Sequence, residues 1–284
     1  MKLGLHLPNF SYPNGPAKLG SDLATIAKAA EDIGFDRVSV MDHLFQIPVV
    51  GPVENEMLEA YTALGFIAAH TSRVKLYTLV TAATYRQPGV LAKAVTTLDV
   101  LSNGRAMLGV GAGWNEEEVA GLGLPFGPTA ERFERLEETL QVCLQMWSDS
   151  DAAYDGKHYQ LGRTLNSPQA LSKPHPPILI GGGGEKKTLR LVAKYAQACN
   201  IFGGPDVEHK LNVLREHCER EGTDYDAIEK TCMVNFRADR DEVKAQLEQL
   251  HGLGIDVATG WTRDDPAGLE AFGRDVVPFA DGLT

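Results

Sequence analysis

One stretch limits the folds open to this chain more than any other: residues 73–115, RVKLYTLVTAATYRQPGVLAKAVTTLDVLSNGRAMLGVGAGWN. Val74, Leu76, Leu79 and Val80 are apolar and partly β-branched, and read as a short strand. Pro88 stands where a first helical turn tolerates proline, because the N–H it lacks would be unpaired there. Val90, Leu91, Ala94, Val95, Leu98 and Leu101 follow at helical spacing and predict one apolar stripe. Ser102-Asn103-Gly104 ends that helix, since Asn and Gly accept the left-handed cap conformation. Residues 106–110 are too few for a helix and are bounded by glycine, so they read as a buried strand. The result is a βαβ unit with parallel strands and a right-handed crossover.

The same rhythm runs through the chain. Strands are predicted at residues 2–8, 36–41, 178–180, 198–202, 230–236 and 255–259, besides the two of the opening unit. Ser21 or Asp22 is the expected cap of a first helix that ends at Gly34, with Leu23, Ile26, Ala27 and Ala30 on one face. Further helices are expected over about 57–70, 116–120, 131–147, 186–196, the segment up to 221, 240–250 and 266–279. On the 131–147 helix, Phe133, Leu136, Leu140, Leu144 and Trp147 share a face. Eight strands alternating with helices predict the α/β class, and a (β/α)8 TIM barrel rather than an open doubly wound sheet. One domain over residues 1–284 is expected. Residues 148–177 break the rhythm with Asp, Gly and Pro clusters, and read as an insertion after the fourth strand–helix unit. It is expected to lie over the mouth of the fold and to carry a short hairpin around 154–161.

Composition excludes several function classes. With 284 residues, 43% of them hydrophobic, the chain can bury a sizeable core. A net charge of −11 repels phosphate backbones, so no nucleic-acid partner is expected. No run of about 18 apolar residues occurs, so no membrane span is predicted. The first residues enter a strand without a leader pattern, which predicts a cytoplasmic protein. Cys143, Cys199, Cys218 and Cys232 lack CxxC spacing and are expected to be reduced. HxH and HExxH are absent and the histidines are scattered, so no metal site is predicted.

In a barrel of this type the chemistry sits at the C-terminal ends of the strands. Asp42-His43 follows the second strand, where a histidine can move a proton near neutral pH; the alternative is a capping aspartate beside a structural histidine. Gly181, Gly182, Gly183 and Gly184 lie between a strand and a helix, so their N–H groups can close on an anion, aided by Lys186 and Lys187; the alternative is a flexible turn. Gly109, Gly111 and Gly113 permit close approach of a flat ligand or a neighbouring backbone. Neither cluster is a dinucleotide fingerprint: Trp114 and Lys186 occupy the third glycine positions, and no Walker lysine follows. Trp114 and Trp261 either pack loops or line the pocket, and Arg86 and Glu54 are equally open.

The second-strand exit Asp42-His43-Leu44, the segment TLVTAATYRQPGVLAKAVTTLDVLSNGRAMLGVGAGWNEEE and the segment ILIGGGGEKKTLRLVAKYA together resemble the luciferase-like monooxygenase superfamily. WNEEE and ILIGGGGEKKTL are similar to the branch that uses the deazaflavin coenzyme F420 instead of FMN. The resemblance implies hydride transfer between that coenzyme and a small organic substrate. It places a non-proline cis peptide at Leu79–Val80, behind the middle ring of the cofactor. It also implies a catalytic role for His43, and cofactor contacts from Asp42, Leu79, Val80, Thr81, Gly111, Ala112, Gly113, Trp114, Gly181, Gly182, Gly183, Gly184 and Glu185. A homodimer is a further expectation of the resemblance. Sugar-phosphate dehydrogenases of the superfamily carry a glutamate proton donor just after the strand-four glycines. Trp114 holds that place here, and Glu116, Glu117 and Glu118 are not equivalent to it, so glucose 6-phosphate is not an expected substrate. An FMN-dependent monooxygenase and a deazaflavin- or flavin-binding carrier or sensor are the alternatives.

Overall fold

The structure is a computed structural model that describes residues 1–262 and 266–283. Its strands are β1 (Lys2–Leu7), β2 (Arg37–Val40), β3 (Lys75–Thr78), β4 (Thr81–Ala82), β5 (Leu108–Gly111), β6 (Tyr154–Asp155), β7 (Gln160–Leu161), β8 (Ile178–Gly181), β9 (Ala198–Phe202), β10 (Glu229–Met233) and β11 (Val257–Gly260). Nine of them form one parallel sheet in the order β3-β2-β1-β11-β10-β9-β8-β5-β4. β3 and β4 are two halves of one barrel strand, interrupted at Leu79 and Val80, and the peptide between those two residues is cis, as expected. β4 pairs with β5, and Leu76 of β3 bridges Ala106 just before β5, which brings the two ends of the sheet together. The nine segments thus fill eight barrel positions, the expected (β/α)8 architecture.

The helices are α1 (Leu19–Ile33), α2 (Ala60–His70), α3 (Pro88–Leu101), α4 (Glu116–Leu122), α5 (Thr129–Met146), α6 (Thr188–Tyr195), α7 (Val207–Glu221), α8 (Arg240–Gly252) and α9 (Pro266–Asp281). Two starts differ from the sequence reading by three residues or more. α1 begins earlier, after a short 3-10 turn at Pro16–Lys18, so Ser21 and Asp22 lie inside its first turn; the Ser21 hydroxyl donates back to the Lys18 carbonyl at 2.8 Å instead of capping. α2 begins later because Glu59 takes the cap, its carboxylate accepting from the Thr62 N–H at 2.7 Å. α3 stops where expected, with Asn103 and Gly104 at positive φ. Its stripe is narrower: Leu91, Val95 and Leu98 are buried, while Val90 and Leu101 face out at 60% and 72% exposure. At 100° per residue those two fall beside the contact face.

Residues 148–177 do not cover the mouth. The expected hairpin exists as β6 and β7, but Glu138 of α5 anchors it, accepting from the N–H groups of Lys157 and Tyr159 at 2.9 and 3.0 Å. Farther on, Asp99 of α3 accepts from the Ser172 N–H and hydroxyl at 2.9 and 2.7 Å. The segment satisfies its backbone against α3 and α5, and none of its residues reaches the cavity described below.

Alternation along each strand sends every second side chain inward. Near the N-terminal end the interior holds Arg37, fully buried, with bidentate bonds to Glu229 at 2.8 and 2.9 Å and a further contact to Asp36. Tyr77, Met107, Leu179 and Ala198 form a small core above it, against which Leu79 and Val80 pack. Glycine makes room for these bulky groups. A Cβ at Gly4 would stand 2.9 Å from the Arg37 Cγ, and one at Gly109 only 1.8 Å from the Thr78 carbonyl oxygen. Gly109→Ala is therefore expected to destabilise the fold by about 3 kcal/mol or more. Gly65→Ala, in α2 with open space around its Cβ, should stay within about 1 kcal/mol of the parent or exceed it. Urea unfolding followed by circular dichroism checks both.

Candidate functional site

A cavity of about 630 Å³ opens at the C-terminal ends of the strands. Its floor is the Leu79–Val80 segment, and Val80 reaches across the barrel axis: Cβ atoms at Gly111 and Gly181 would come within 3.0 and 2.8 Å of Val80 methyls. Asp42 and His43 form one wall, Ala112, Gly113 and Trp114 another, and Gly182 lies on a third beside Thr188. Trp261 also lines it, as does Phe202. Four expected residues are not on the wall. Thr81 lies behind it, its hydroxyl bonded to those of Tyr61 and Thr78 at 2.9 Å. Gly183 and Gly184 turn away as the chain enters α6, and the Glu185 carboxylate bonds to Lys210 of α7 at 2.5 Å. Of the four glycines, only Gly181 at the end of β8 and Gly182 just after it thus meet the cavity.

Each wall is held by its own element. His43 leaves β2 and is fixed from α4: its Nδ1 lies 2.5 Å from Glu118 Oε1. The Glu118 side chain is buried; it accepts from the Leu44 N–H at 2.6 Å and from the Tyr85 hydroxyl. Burial pushes the Glu118 carboxyl upward, but its bonds to His43, Tyr85 and Leu44 outweigh that and hold it below its ordinary 4.5. An ionised Glu118 accepts a hydrogen bond from Nδ1–H, which leaves the lone pair of the uncharged tautomer on Nε2. The Trp114 ring meets His43 edge-on, with centroids 5.3 Å apart. Nothing in the sequence separated Glu118 from Glu116 and Glu117. The structure does, because Asn115 caps α4 through the Glu117 N–H at 3.2 Å and sets the helical phase that turns Glu118 inward.

Asp42 is buried and paired with Arg86, whose guanidinium grips both carboxylate oxygens and also reaches Glu59. Burial pushes Asp42 upward against the opposing pull of Arg86. His6 lines the cavity from β1 and is bonded to the Ser39 hydroxyl at 2.9 Å. Burial, with a smaller contribution from His43, pulls His6 down to about 3, so it is neutral at physiological pH. Asn200 lines the cavity from β9 and donates to the Thr231 hydroxyl at 2.8 Å. His6 and Asn200 were missed as site residues, although period-2 alternation along their strands marks both as inward.

Residues 1–272 match the family described as luciferase-like monooxygenase. The chain belongs to that family. Within it, the chain is 35% identical over 236 residues to the F420-dependent glucose-6-phosphate dehydrogenase of Kineococcus radiotolerans, a match covering 78% of this chain and 66% of the relative. A protein of the same name from Microbacterium testaceum is 31% identical over 278 residues, covering 94% of this chain and 80% of its own. Among solved structures, EDTA monooxygenase from Chelativorans sp. BNC1 superposes with a TM-score of 0.85 at 14% identity, over 100% of this chain and 94% of that one. This last match speaks for the fold of the luciferase-like family, which serves more than one chemistry.

Two measurements probe this luciferase-like site. Arg86→Met leaves Asp42 buried without a counter-charge, and should cost about 3–5 kcal/mol in urea unfolding; adding Asp42→Asn should restore part of it. Glu118 has a depressed folded pKa. Its stabilisation is therefore present above the ordinary carboxylate value and is lost as pH falls through the folded one. Stability profiles between about pH 6 and pH 3 should be flatter for Glu118→Gln than for the parent.

Proposed function

We propose that this chain is an F420-dependent oxidoreductase that passes a hydride between the deazaflavin and a small organic substrate. The observation that carries the reading is His43, held through Nδ1 by a buried carboxylate and standing in the wall of the cavity whose floor is the Leu79–Val80 segment. The sequence relatives with F420 in their names match most of the chain and support this choice over FMN. The likeness to a monooxygenase at 14% identity bears on the fold alone.

The residues present fit a flat tricyclic group. Leu79 and Val80 offer an apolar backing, Gly111 and Gly181 place no side chain beside it, and Ala112 and Gly113 continue the wall. When bound, a deazaflavin supplies the hydride-accepting or hydride-donating carbon. The chain itself holds the proton. As the C–H electron pair leaves a substrate carbinol, His43 Nε2 takes up the hydroxyl proton; in the reverse direction it returns that proton to the carbonyl oxygen. Glu118 keeps the imidazole in the tautomer this requires. Asp42, neutralised by Arg86, contributes a fixed dipole at the rim. Glucose 6-phosphate is not carried over from the relatives, because Trp114 occupies the place where sugar-phosphate dehydrogenases carry an acid.

Titrating the protein with F420 and with FMN should show F420 binding at least ten-fold tighter; tight FMN binding without F420 binding would sink the proposal. His43→Ala should leave the F420 dissociation constant within a few-fold while lowering kcat by roughly 10²–10⁴. Binding with no oxidation of the reduced coenzyme across a broad panel of carbonyl substrates would point instead to a carrier or sensor.

A further inference from the structure

Among the described residues, the charged groups of the cavity wall are paired, with one exception. Asp42 is matched by Arg86, and His43 by Glu118. Arg132 also lines the cavity, from the first turns of α5, and among the described residues no carboxylate lies within ion-pair distance of it. Its acidic neighbours on the same helix are engaged elsewhere: Glu131 with Arg135 at 2.7 Å, Glu134 with Lys157 at 2.7 Å, Glu137 with Lys194 at 2.8 Å. The guanidinium is nonetheless held in place. It stacks over the Phe126 ring at 3.9 Å and donates from Nη2 to the Thr129 hydroxyl at 3.1 Å. Its Nε is buried with no hydrogen-bond partner.

A positioned guanidinium that lines a cavity without a counter-charge presents donors suited to the oxygens of an anion. Thr129 lines the same part of the cavity. α5 has no capping side chain on Pro128, so its first N–H groups add favourable potential there. We propose that Arg132, with Thr129, forms an anion subsite of the cavity that receives a phosphate or carboxylate group of a bound ligand. The anion comes either from the side chain of the cofactor or from the substrate. The glycine run offers the cavity only Gly181, at the end of β8, and Gly182, which leaves a phosphate in need of a cation that Arg132 can supply. This inference rests on the cavity being the ligand site, and not on which cofactor occupies it.

The test uses Arg132→Met and Arg132→Lys in the full chain, with far-ultraviolet circular dichroism to confirm folding. Dissociation constants are measured for F420, for the same deazaflavin stripped of its phosphate side chain, for inorganic phosphate and for benzoate. If the anion is the cofactor's, Arg132→Met weakens F420 at least ten-fold and leaves the phosphate-free deazaflavin unchanged. If it is the substrate's, F420 affinity is unchanged, while competition by phosphate or benzoate against a cavity-bound fluorescent probe is lost. In either case Arg132→Lys is intermediate, because it keeps the charge without the fork, and it gives the same readouts should the Met variant fail to fold. Equal weakening of the charged and phosphate-free deazaflavins, or no change in any affinity beyond two-fold, overturns the proposal. Should the protein take FMN instead, FMN and riboflavin replace the deazaflavin pair, so failure of the cofactor assignment does not mask failure of the subsite.

Discussion

The centre of the barrel admits one crossing side chain at the level of the cavity floor, and Val80 occupies it. Its methyl groups lie where Cβ atoms at Gly111 and Gly181 would stand, so the inward positions at the ends of β5 and β8 have to be glycine. One layer lower the backbone of the same strand imposes the same requirement, the Thr78 carbonyl oxygen lying 1.8 Å from where a Cβ at Gly109 would stand. The interruption of that strand and the glycines opposite it are therefore one arrangement. Filling the axis from a single side leaves a shallow apolar floor rather than a packed plug, and the space above it becomes the cavity. The position of Asp42 and His43 on one side, and of Ala112 to Trp114 on the other, follows from where β2 and β5 end relative to that floor.

Charge is distributed to match. At the N-terminal end, Arg37 is fully buried and answered by Glu229 and Asp36 in bidentate or near-planar contacts, which is the geometry a buried guanidinium requires. At the C-terminal end the pairing is of a different kind. Arg86 neutralises Asp42 but is shared with Glu59, and Glu118 serves His43 through one ring nitrogen while the other has no partner among the described residues. Paired charges at the lower end hold the barrel; partly committed ones at the upper end are free to act.

The fold was legible because parallel β/α units print two periods side by side, and because proline and the Asn-Gly pair mark the ends of α3. Boundaries set by side-chain caps were less so: Glu59 and the 3-10 turn before α1 decide their helices through bonds that depend on backbone already in place. The exits after β2 and β5 were legible in the same way, since Asp42-His43 and Ala112 to Trp114 follow their strands within three residues, before either connection can turn away. The exit after β8 was not. Gly182 adopts a positive φ, and from there the chain swings toward α7, carrying Gly183, Gly184 and Glu185 away from the wall. Residues 148–177 misled for a related reason. Their length suggested a lid, but a hairpin with free backbone N–H groups settles where a carboxylate can receive them, and Glu138 lies on the flank of α5.

The missing acid after the fourth strand takes on a different meaning once α4 is seen. Trp114 removes a carboxylate from the strand exit, yet Glu118, four residues on and buried, restores one behind His43. The two placements are not equivalent. A carboxylate at the exit would meet a ligand directly and exchange a proton with it. Behind the imidazole it is saturated by His43, Leu44 and Tyr85, and can act only by setting which ring nitrogen carries the proton. Under the proposed function, proton traffic then runs through His43 alone, whose reach is limited to groups beside Nε2. Substrates that need an acid and a base on opposite sides are disfavoured by such a wall. Those whose hydroxyl or carbonyl oxygen lies next to the carbon that exchanges hydride suit it, because one imidazole can serve both directions of the reaction.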